Sequence, residues 1–369
     1  MSIIKQADHL YINIMCGGGG KRLWPRSRKQ SPKQFIKLFG EQTIFQKTIE
    51  RVEKIVDPSH IIIVTNKDYQ DEVAAQAPEI PRENVIAEPE AKNTALAVVY
   101  GALAIKKRDS EAVIANLPSD HFVSDSDQFA EIIHRAYEEA QSGNFLITIG
   151  IKPTSPHTGF GYIKKGQPKP GAKDCEIFEV QGFTEKPELK VAKEYLESQN
   201  YYWNGGIYVF SLKTFFDAVI KLAPELWQNT QKLENAINNN NLEEIQKIYS
   251  QAEDLSLDYA VAEKASNMLV IPGDFGWSDV GDWQAVWEVE EKDENGNVII
   301  KESEKGDHVG IETKNCLIQI SDQLVTTLGV SDLIIVDTAD ALLVASKDKA
   351  EEVKKLVGLL KEKEKVEYL

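Results

Sequence analysis

The sequence predicts an α/β fold with a mostly parallel mixed sheet, followed by a small C-terminal β unit. Through the first half of the chain, short apolar runs alternate with helical patterns of roughly 10–15 residues, which is typical of βαβ units. Right-handed crossovers then place helices on both faces of the sheet. After a turn-like stretch at Asp293–Asn297 only short β-like runs follow, so we divide the chain into domains 1–290 and 291–369.

The strands of the large domain are predicted from short apolar runs, which suit strands buried on both faces. They are expected at Tyr11–Met15, His60–Thr65, Asn84–Ala87, Ala112–Leu117, Phe145–Ile151, Gly206–Phe210 and Met268–Ile271. Two alternating segments, Gly161–Lys165 and Glu176–Thr184, predict an antiparallel insertion. The C-terminal unit contributes the runs Val298–Ile300, Val309–Ile311, Cys316–Ile320 and Leu333–Asp337.

Helices are predicted where apolar residues recur at helical spacing. The first begins with a capping-box pattern, Thr43 followed by Gln46. The others are expected at Asn93–Lys107, Gln128–Gln141, Glu188–Ser198, Leu212–Ala252, Ser256–Lys264 and Asp348–Glu364. The polar run Asn238–Asn241 predicts a break in the long helical segment.

Composition excludes several classes of protein. The net charge is −16, so the overall field does not attract nucleic acid. No apolar run is long enough for a transmembrane helix, and the start of the chain lacks a signal-peptide pattern. The three cysteines are widely spaced without a CxxC pair, which argues against a disulfide framework and a cysteine zinc site. We therefore expect a cytoplasmic protein that does not bind membranes.

A glycine-rich basic segment, Gly17–Phe35, follows the first predicted strand. Its glycines let backbone N–H groups approach an anion, and its six cations suit a polyphosphate. These cations are Lys21, Arg22, Arg26, Arg28, Lys29 and Lys33. The segment matches neither the P-loop nor the dinucleotide pattern, since Met15 and Arg22 stand where glycines are required. A flexible glycine linker before a solvated basic stretch is the alternative interpretation.

Two aspartates are candidate ligands for Mg²⁺. Asp120, in NLPSDHFV, follows a predicted strand, and ligands of open α/β sheets bind beyond the carboxyl ends of the strands. Asp279, in GDFGWSDVGDW, is a plausible second carboxylate. The alternatives are that Asp120 caps a turn and that Asp279 is a solvated acid in a tight turn. His121 is expected to play a structural role.

Three further blocks place polar groups next to predicted strands or helices. In FTEKP (183–187), Lys186 suits a phosphate monoester and Glu185 suits sugar hydroxyls. In WNGGIYVF (203–210), Asn204 and two glycines precede a strand where a ligand's approach is possible. In AEPEAKNTA (87–95), Asn93 or Thr94 either caps the next helix or binds a ligand. A surface ion pair and a β-turn are the alternatives for the first two blocks.

Together these five blocks resemble the sugar-nucleotidyltransferase family. They are most similar to its guanylyltransferases for mannose 1-phosphate, in the short form without an isomerase domain. The resemblance covers about residues 11–290, and DALLVASKDKAEEVKKLV (340–357) extends it. Cys16, Gly19 and Arg26 depart from the family's usual Ala, Ser or Thr, and Leu. The resemblance implies a Rossmann-like nucleotidyltransferase domain and a C-terminal unit similar to a short left-handed β-helix.

The resemblance also implies a reaction and its residues. GTP and mannose 1-phosphate would give GDP-mannose and pyrophosphate by in-line attack assisted by Mg²⁺. The implied catalytic residues are Arg22 on the triphosphate, Lys33 at the reacting phosphates, Lys186, and the metal ligands Asp120 and Asp279. The implied nucleotide-binding residues are Gly17, Gly18, Gly20, Lys21, Arg22, Glu88, Asn93 and Thr94. The implied sugar-phosphate-binding residues are Gly159, Glu185, Lys186, Asn204 and Gly205.

Two other functions stay open at this point. One is a nucleotidyltransferase for another sugar or base, such as glucose 1-phosphate with UTP or dTTP. The other is a catalytically silent, regulatory homologue that binds sugar nucleotides, although Arg22, Lys33, Asp120, Lys186 and Asp279 are all present. Exposed sheet edges in the C-terminal unit would favour a homodimer.

Overall fold

The computed structural model describes residues 7–170 and 176–369. It divides into two compact units. The first contains the chain up to Gly17, Ile49–Ser119 and Val123–Trp277. The second combines Gly18–Thr48, Asp120–Phe122 and Ser278–Leu369. The basic segment from Gly18 onward and residues 120–122 therefore belong to the same unit as the C-terminal strands.

The regular elements follow the predicted alternation of strands and helices. The strands are β1 (Leu10–Cys16), β2 (Ile61–Asn66), β3 (Val85–Glu88), β4 (Val113–Pro118), β5 (Phe122–Val123), β6 (Leu146–Ile151), β7 (Tyr162–Pro168), β8 (Phe178–Thr184), β9 (Tyr201–Ser211), β10 (Met268–Gly273), β11 (Trp277–Ser278), β12 (Val298–Lys301), β13 (Asp307–Ile311), β14 (Leu317–Ile320), β15 (Leu324–Leu328), β16 (Leu333–Asp337) and β17 (Leu342–Ser346). The α-helices are α1 (Ile44–Glu53), α2 (Gln70–Gln76), α3 (Asn93–Lys106), α4 (Ser126–Ser142), α5 (Leu189–Ser198), α6 (Leu212–Leu222), α7 (Pro224–Asn238), α8 (Leu242–Gln251), α9 (Leu257–Ala260), α10 (Trp283–Val289) and α11 (Val353–Glu362).

The first unit is built on a mixed sheet in the order β3-β2-β1-β4-β9-β6-β10-β8-β7. Strands β3, β2, β1, β4, β6 and β10 share one direction, and β9 runs antiparallel to both β4 and β6. The predicted antiparallel insertion is confirmed, because β7 pairs antiparallel with β8. The shared direction means that β1 and β3 end at the same edge of the sheet, where Gly17 and Glu88 lie.

The helical region after β9 is divided more finely than predicted. The segment 212–252 forms three helices, α6, α7 and α8. Pro224 begins α7, because proline fits the first turn of a helix but not its interior. The predicted break at Asn238–Asn241 is confirmed, and the Asn241 side chain caps α8 by accepting from Glu244 N at 3.0 Å.

The core of the first unit forms around α3. Most of this helix is buried, so it shows no polar face, as expected for a helix covered on all sides. It packs with the sheet residues Ile62, Val64 and Ile114 and with residues of α7 and α8, including Leu233 and Ile248. Burial of this apolar surface is the main stabilising contribution to the unit.

The C-terminal strands of the second unit alternate between two small sheets. One has the order β12-β14-β16-β17, with β17 antiparallel to β16, and the other pairs β13 parallel to β15. Parallel pairing between strands one coil apart is the arrangement of a β-helix. Leu317, Ile334 and Val336 pack in one core with Leu23 and Trp24 of the basic segment. The predicted small β unit is confirmed, and β15 and β17 add strands that the sequence did not predict.

Some sequence predictions concern the ends and the cysteines of the chain. Cys16 and Cys316 are buried and form no disulfide within the described part of the chain, while Cys175 lies outside the described residues, as does the start of the chain, Met1–Gln6. Within the described ranges, none of the helices combines the length and the apolar character needed to cross a membrane.

Candidate functional site

Three of the predicted catalytic residues come together in the second unit. The Lys33 ammonium donates to Asp120 Oδ2 at 2.8 Å and to the main-chain carbonyl of Asp279. Lys33 lies 87 residues from Asp120 and 246 residues from Asp279 along the chain. The turn Lys33–Phe35 buries all three of its residues, which fixes the lysine stem. Folding therefore builds one charged cluster, Lys33–Asp120–Asp279, from distant segments.

The charge of Asp120 is stabilised by this cluster. Burial alone would raise the pKa of Asp120, but the charges of Lys33 and His121 and the Lys33 hydrogen bond hold it below the ordinary value. Asp120 is thus a carboxylate at neutral pH. A carboxylate of this kind can hold a cation, and here a lysine ammonium already lies against it.

The backbone next to Asp279 is strained. Val280 is fully buried and has φ of 47°, a conformation that a β-branched residue rarely adopts. A Cβ at the following Gly281 would lie 2.9 Å from Asp279 Oδ2, so a larger residue there would disturb the carboxylate. Gly281 N also donates to Asp279 Oδ1 at 3.1 Å. Strain of this kind is found at functional sites, where the surrounding structure holds it in place.

The glycine turn before Lys33 has little room for side chains. Gly20 has φ of 53°, and a Cβ there would lie 2.5 Å from Lys33 Cβ and 2.7 Å from Ser27 Oγ. Ser27 Oγ in turn donates to the Gly19 carbonyl at 3.0 Å. The turn is therefore packed on Ser27 and Lys33. Gly18 has φ of 103° and open space around its Cα, so its backbone is accessible.

The six cations of the basic segment do not act alike. Arg28 and Arg26 pair with Asp340 and Glu302 of the C-terminal strands. Lys33 pairs with Asp120. Lys21 is exposed, and the buried Nε of Arg22 has no hydrogen-bond partner within the described part of the chain. An unsatisfied buried donor of this kind is costly unless a ligand uses it.

In the first unit, Glu185 and Lys186 form a neighbouring pair after β8. Lys186 Nζ donates to Glu185 Oε1 at 2.6 Å, and Glu185 N donates to Glu263 Oε1 at 3.0 Å. Burial chiefly raises the pKa of Glu185. For Lys186, burial lowers the pKa, but the hydrogen bond to Glu185 and the nearby charges of Glu185 and Asp258 together outweigh burial, so the pKa is raised. Lys186 also has φ of 47°, a strained conformation for a non-glycine residue.

Asn204 is held by a hydrogen-bond network that the sequence analysis did not find. Its Nδ2 donates to Asp258 Oδ1 and to Tyr208 Oη, both at 2.9 Å. Its Oδ1 accepts from Thr148 Oγ1 at 3.1 Å and from Gly206 N at 3.2 Å. Tyr208 also donates to Asp258. These bonds fix the amide of Asn204, since both of its ends have partners in the protein.

The two acidic residues that the sequence analysis missed, Asp258 and Glu263, lie in one short segment of the chain. Asp258 and Glu263 lie in SLDYAVAEK (256–264), which the sequence analysis treated only as a short helix. Their acidic side chains reach Asn204 and Glu185, which are 54 and 78 residues distant in sequence. The one available signal was the pair of acids in an otherwise small and apolar helix.

The two remaining sugar-site glycines lie at crowded positions of the first unit. Gly159 N donates to His157 Nδ1 at 3.1 Å, and the His157 ring stacks on Phe160 at 4.0 Å. A Cβ at Gly205 would lie 2.9 Å from the Ile149 carbonyl, so β6 and β9 require glycine there. Phe160 contacts Trp203 edge to face at 5.0 Å. The rings of Phe160 and Trp203 thus lie in contact next to the predicted sugar-phosphate residues Gly159 and Asn204.

The third set of predicted residues surrounds the start of α3. Asn93 has φ of 58°, and its Oδ1 accepts from Thr94 N at 3.0 Å. Thr94 Oγ1 accepts from Leu257 N at 2.9 Å, which ties α3 to the segment containing Asp258. Burial raises the pKa of Glu88 to about 7, with Tyr249 opposing the shift. These contacts are local, and the Thr94 hydroxyl oxygen accepts a hydrogen bond from the protein's own backbone.

The residues of the Lys33–Asp120–Asp279 cluster suit a divalent ion. The Lys33 ammonium lies against the Asp120 carboxylate and the Asp279 main-chain carbonyl, so oxygen atoms of both residues face a cation here. Carboxylate and carbonyl oxygens are the ligands that Mg²⁺ prefers. No group of three or more His, Cys, Asp and Glu side chains suited to a metal occurs within residues 7–170 and 176–369.

The fold and these charged clusters define an α/β protein with a loop suited to phosphates. The chain belongs to the nucleotidyl transferase family, whose profile matches residues 13–296. A second profile, the MannoseP isomerase/GMP-like beta-helix domain, matches residues 306–360. The predicted resemblance is thereby confirmed, and the chain is a nucleotidyltransferase. Enzymes of this family generally use a divalent metal ion.

Similar proteins cover almost the whole chain. The mannose-1-phosphate guanylyltransferase of Salmonella montevideo is 38% identical over 362 residues, which cover 96% of this chain and 75% of that protein. The alginate biosynthesis protein AlgA of Pseudomonas syringae pv. tomato is 36% identical over 364 residues, covering 96% and 72%.

Two solved structures are similar to this chain. The crystal structure of a mannose-1-phosphate geranyltransferase from Thermus thermophilus matches with a TM-score of 0.85 and 34% identity, covering 96% of this chain and 99% of that one. A mannose-6-phosphate isomerase from Helicobacter pylori matches with a TM-score of 0.59 and 27% identity, covering 73% and 99%.

Proposed function

We propose that this enzyme transfers a guanylyl group from GTP to α-D-mannose 1-phosphate and releases GDP-mannose and pyrophosphate. Two relatives named mannose-1-phosphate guanylyltransferase are 38% and 37% identical to it in alignments that cover 96% and 95% of its length. The observation that carries the proposal is the convergence of Lys33, Asp120 and Asp279. Those three residues are the ones that the resemblance assigned to the reacting phosphates and the metal.

The reaction needs positioning and charge neutralisation rather than a protein base. A phosphate oxygen of mannose 1-phosphate forms a bond to the α-phosphorus of GTP. The bond from that phosphorus to the bridging oxygen breaks, and pyrophosphate leaves with the electron pair. The nucleophile is already an anion, so no side chain has to remove a proton from it. Catalysis then comes from holding the reactants in line and from cations aimed at the phosphates.

The nucleotide is assigned to the glycine turn and its cations. The accessible backbone of Gly18 and the tight turn at Gly20 suit the approach of phosphate oxygens. Arg22 clamps the triphosphate, because its guanidinium adds a second cation directly after the glycines. Lys21 adds an exposed cation to the same turn. Gly17, Glu88, Asn93 and Thr94 are assigned to the base and ribose.

The sugar phosphate is assigned to the Glu185–Lys186 pair. The Lys186 side chain is 59% exposed, so its ammonium can reach a phosphate monoester. Glu185 suits hydroxyl groups of the sugar, because a carboxylate accepts two or more hydrogen bonds. Asn204, Gly205 and Gly159 line the same part of the first unit, with Asn204 held rigidly by Asp258.

Asp120 and Asp279 are assigned to Mg²⁺. The ion would supply a positive charge that neutralises the phosphates and polarises the α-phosphorus. Lys33 donates a hydrogen bond to the Asp120 carboxylate. This contact keeps the carboxylate ionised and fixes its orientation. Substrate oxygens would complete the coordination, as is usual for this ion.

We also propose a cytoplasmic homodimer. Free GTP and reduced cysteines both suit that compartment. The sheet formed by β13 and β15 exposes apolar side chains, namely Val309 (54%), Ile311 (62%), Leu324 (61%) and Leu328 (73%). A second copy of the chain would cover these side chains. Light scattering of the wild type and of Leu328→Asp tests this, since the substitution would yield monomers. A wild-type monomer would contradict it.

The catalytic proposal is tested by pyrophosphate release with Mg²⁺. GTP, ATP, UTP, dTTP and CTP are each combined with mannose, glucose, galactose and fucose 1-phosphates. The proposal predicts that GTP with mannose 1-phosphate gives the highest kcat/KM. Isomerisation of mannose 6-phosphate is assayed alongside, because one similar structure carries that name.

Each other outcome has a definite meaning. A maximum with another base or sugar would keep the reaction type and overturn the specificity. No turnover with any pair, from folded protein that still binds GDP-mannose, would support the regulatory homologue. Isomerase activity without pyrophosphate release would overturn the proposal altogether.

A further inference from the structure

Two arginines of the basic segment, Arg26 and Arg28, contact carboxylates of the C-terminal strands. These contacts indicate a role other than phosphate binding. Arg28 makes a bidentate contact with Asp340, with Nη1–Oδ2 and Nη2–Oδ1 distances of 2.7 and 2.6 Å. Asp340 lies between β16 and β17, 312 residues further along the chain. Bidentate guanidinium–carboxylate contacts are among the stronger and more directional ion pairs. Arg28 is therefore held by the C-terminal strands.

Arg26 also pairs with a carboxylate of the C-terminal strands, but through one contact rather than two. Its guanidinium contacts the Glu302 carboxylate at the end of β12, and Gln319 of β14 donates to that carboxylate. Both partners of the pair are about a quarter exposed or less, so solvent screens them only partly.

The backbone between these arginines is fixed by further contacts with the end of the chain. The Trp24 indole N–H donates to the Tyr368 carbonyl at 2.7 Å. Trp283 donates from its indole to the Trp24 carbonyl at 3.0 Å. Leu23 and Trp24 pack in one apolar core with Val353 of α11 and the C-terminal strands. Segment 23–28 is thus anchored by charge, hydrogen bonds and apolar packing.

The anchored segment supports the glycine turn. Ser27 lies between the two arginines, and its hydroxyl donates to the Gly19 carbonyl. Ser27 Oγ also limits the space at Gly20. Backbone hydrogen bonds within the segment, such as those from Leu23 N to the Gly20 carbonyl (2.9 Å) and from Ser27 N to the Leu23 carbonyl (3.0 Å), connect the anchored residues directly to the turn. A loop loses conformational entropy when it orders, so its geometry also depends on such anchors. Displacement of Arg26 or Arg28 would move Ser27, and Ser27 would move the turn.

We infer that Arg26 and Arg28 are positioning residues of the nucleotide loop and that Glu302 and Asp340 make the C-terminal β unit an integral part of the nucleotide site. The inference rests on the proposed function for its kinetic consequence. It assigns the C-terminal unit a role beyond assembly. Because the arginines act through Ser27 and the glycine turn, their loss should weaken nucleotide binding while leaving use of the sugar phosphate unchanged.

The first experiment measures the loop directly, without any substrate. Hydrogen exchange of amides in 18–28 is compared between wild type, Asp340→Asn and Asp307→Asn. Asp340→Asn keeps the shape of the side chain but removes the charge that Arg28 requires. We expect at least about tenfold faster exchange in the loop for this variant. Asp307→Asn is the matched control, because it breaks the exposed Lys301–Asp307 pair (2.6 Å) of the same β unit.

The second experiment measures both Michaelis constants in the same variants. We expect the KM for GTP to rise about tenfold in Asp340→Asn, a factor that corresponds to about 1.4 kcal/mol, and the KM for mannose 1-phosphate to stay within about twofold. Glu302→Gln should behave similarly. Asp340→Glu should restore much of the loss. In the double variant Arg28→Met/Asp340→Asn, the loss should be no larger than in Asp340→Asn.

The outcomes separate this inference from the proposed function. Faster exchange in the loop without any guanylyl transfer by the wild type would support the anchoring and overturn the proposed reaction. Wild-type exchange and wild-type KM for GTP in Asp340→Asn would overturn the anchoring. Equal increases in both Michaelis constants would also overturn it, since a general loss of folded structure affects both substrates alike.

Discussion

Two lysine–carboxylate pairs of this enzyme are built in different ways. Lys33 and Asp120 are 87 residues apart, and the Lys33 side chain is only 8% exposed. Lys186 and Glu185 are neighbours in sequence, and the Lys186 side chain is 59% exposed. The first pair exists only when the second unit folds. The second pair is set by one strand end and its strained turn.

The difference indicates two uses of a cation. A buried ammonium held by a carboxylate is preorganised, so it acts without reorganisation when charge develops nearby. An exposed ammonium on a flexible stem binds an incoming anion and can follow it. Loss of Lys33 should therefore reduce the rate of the chemical step, and loss of Lys186 should weaken one substrate's binding.

Lys33→Met is expected to have the largest effect. We expect kcat to fall by about 10³-fold or more, because the reacting phosphates lose a preorganised charge and Asp120 loses its partner. Pyrophosphate release under saturating substrates measures it. Lys37→Met is the control. Lys37 is an exposed lysine two residues after the basic segment, and it pairs only loosely with Glu41 at 3.5 Å. Lys33→Arg separates charge from shape if the methionine variant folds poorly. A kcat near wild type in Lys33→Met would contradict the assigned role.

Glu88 provides a contrast to Asp120, because its pKa moves the opposite way. Burial raises the pKa of Glu88 from 4.5 to about 7. The folded protein then keeps a proton that the unfolded chain releases, so stability falls as pH rises from 4.5 through 7 and levels off above it. The loss amounts to at most about 3 kcal/mol. Urea unfolding at pH 5, 6, 7 and 8 measures it.

Glu88→Gln removes the titrating group and should remove this pH dependence. The difference in unfolding free energy between wild type and Glu88→Gln should therefore shrink or reverse by up to about 3 kcal/mol between pH 5 and 8. Glu90→Gln, at an exposed position two residues away, should follow the wild type. Parallel curves for wild type and Glu88→Gln would show that Glu88 is ionised in the folded protein.

The sequence could predict the elements of the first unit because their signals are local. Buried strands such as β2 are continuous apolar runs, and the breaks around α7 coincide with Pro224 and the asparagine run. The glycine turn and its cations were also visible as a composition change. The roles of Lys33, Asp120 and Asp279 came from the resemblance and not from their spacing.

The remaining features depend on contacts that spacing does not encode. Arg28 meets Asp340 across 312 residues, and Asn204 meets Asp258 across 54. Strands β15 and β17 were missed because several of their apolar residues face solvent, including Leu324, Leu328 and Leu342. Helix α10 was missed because it is short and depends on Asp282, whose carboxylate caps it by accepting from Gln284 N and Ala285 N.

Lys186→Met tests the exposed member of the comparison. We expect the KM for mannose 1-phosphate to rise about 10²-fold with a smaller change in the KM for GTP, because one charge-assisted contact to a phosphate is lost. Steady-state kinetics with each substrate varied in turn measure the split. Lys193→Met, on the exposed face of α5, is the control. Equal losses for both substrates would mean that Lys186 serves the reacting phosphates as Lys33 does.

Asp258→Asn is expected to have the smallest effect. Asp258 Oδ1 accepts from both Asn204 and Tyr208, and an asparagine could keep both bonds through its own Oδ1 but without the negative charge that strengthens them. The Asn204 amide should then be held less firmly, and the KM for mannose 1-phosphate should rise about tenfold with little change in the KM for GTP. Tyr208→Phe is the matched variant, because it removes the bond from Asn204 and the bond to Asp258 and leaves the carboxylate. If Asp258 only stabilised the fold, both variants would lower the melting temperature and leave the two Michaelis constants in their wild-type ratio. A selective rise in the KM for mannose 1-phosphate would instead show that the network positions Asn204 for that substrate.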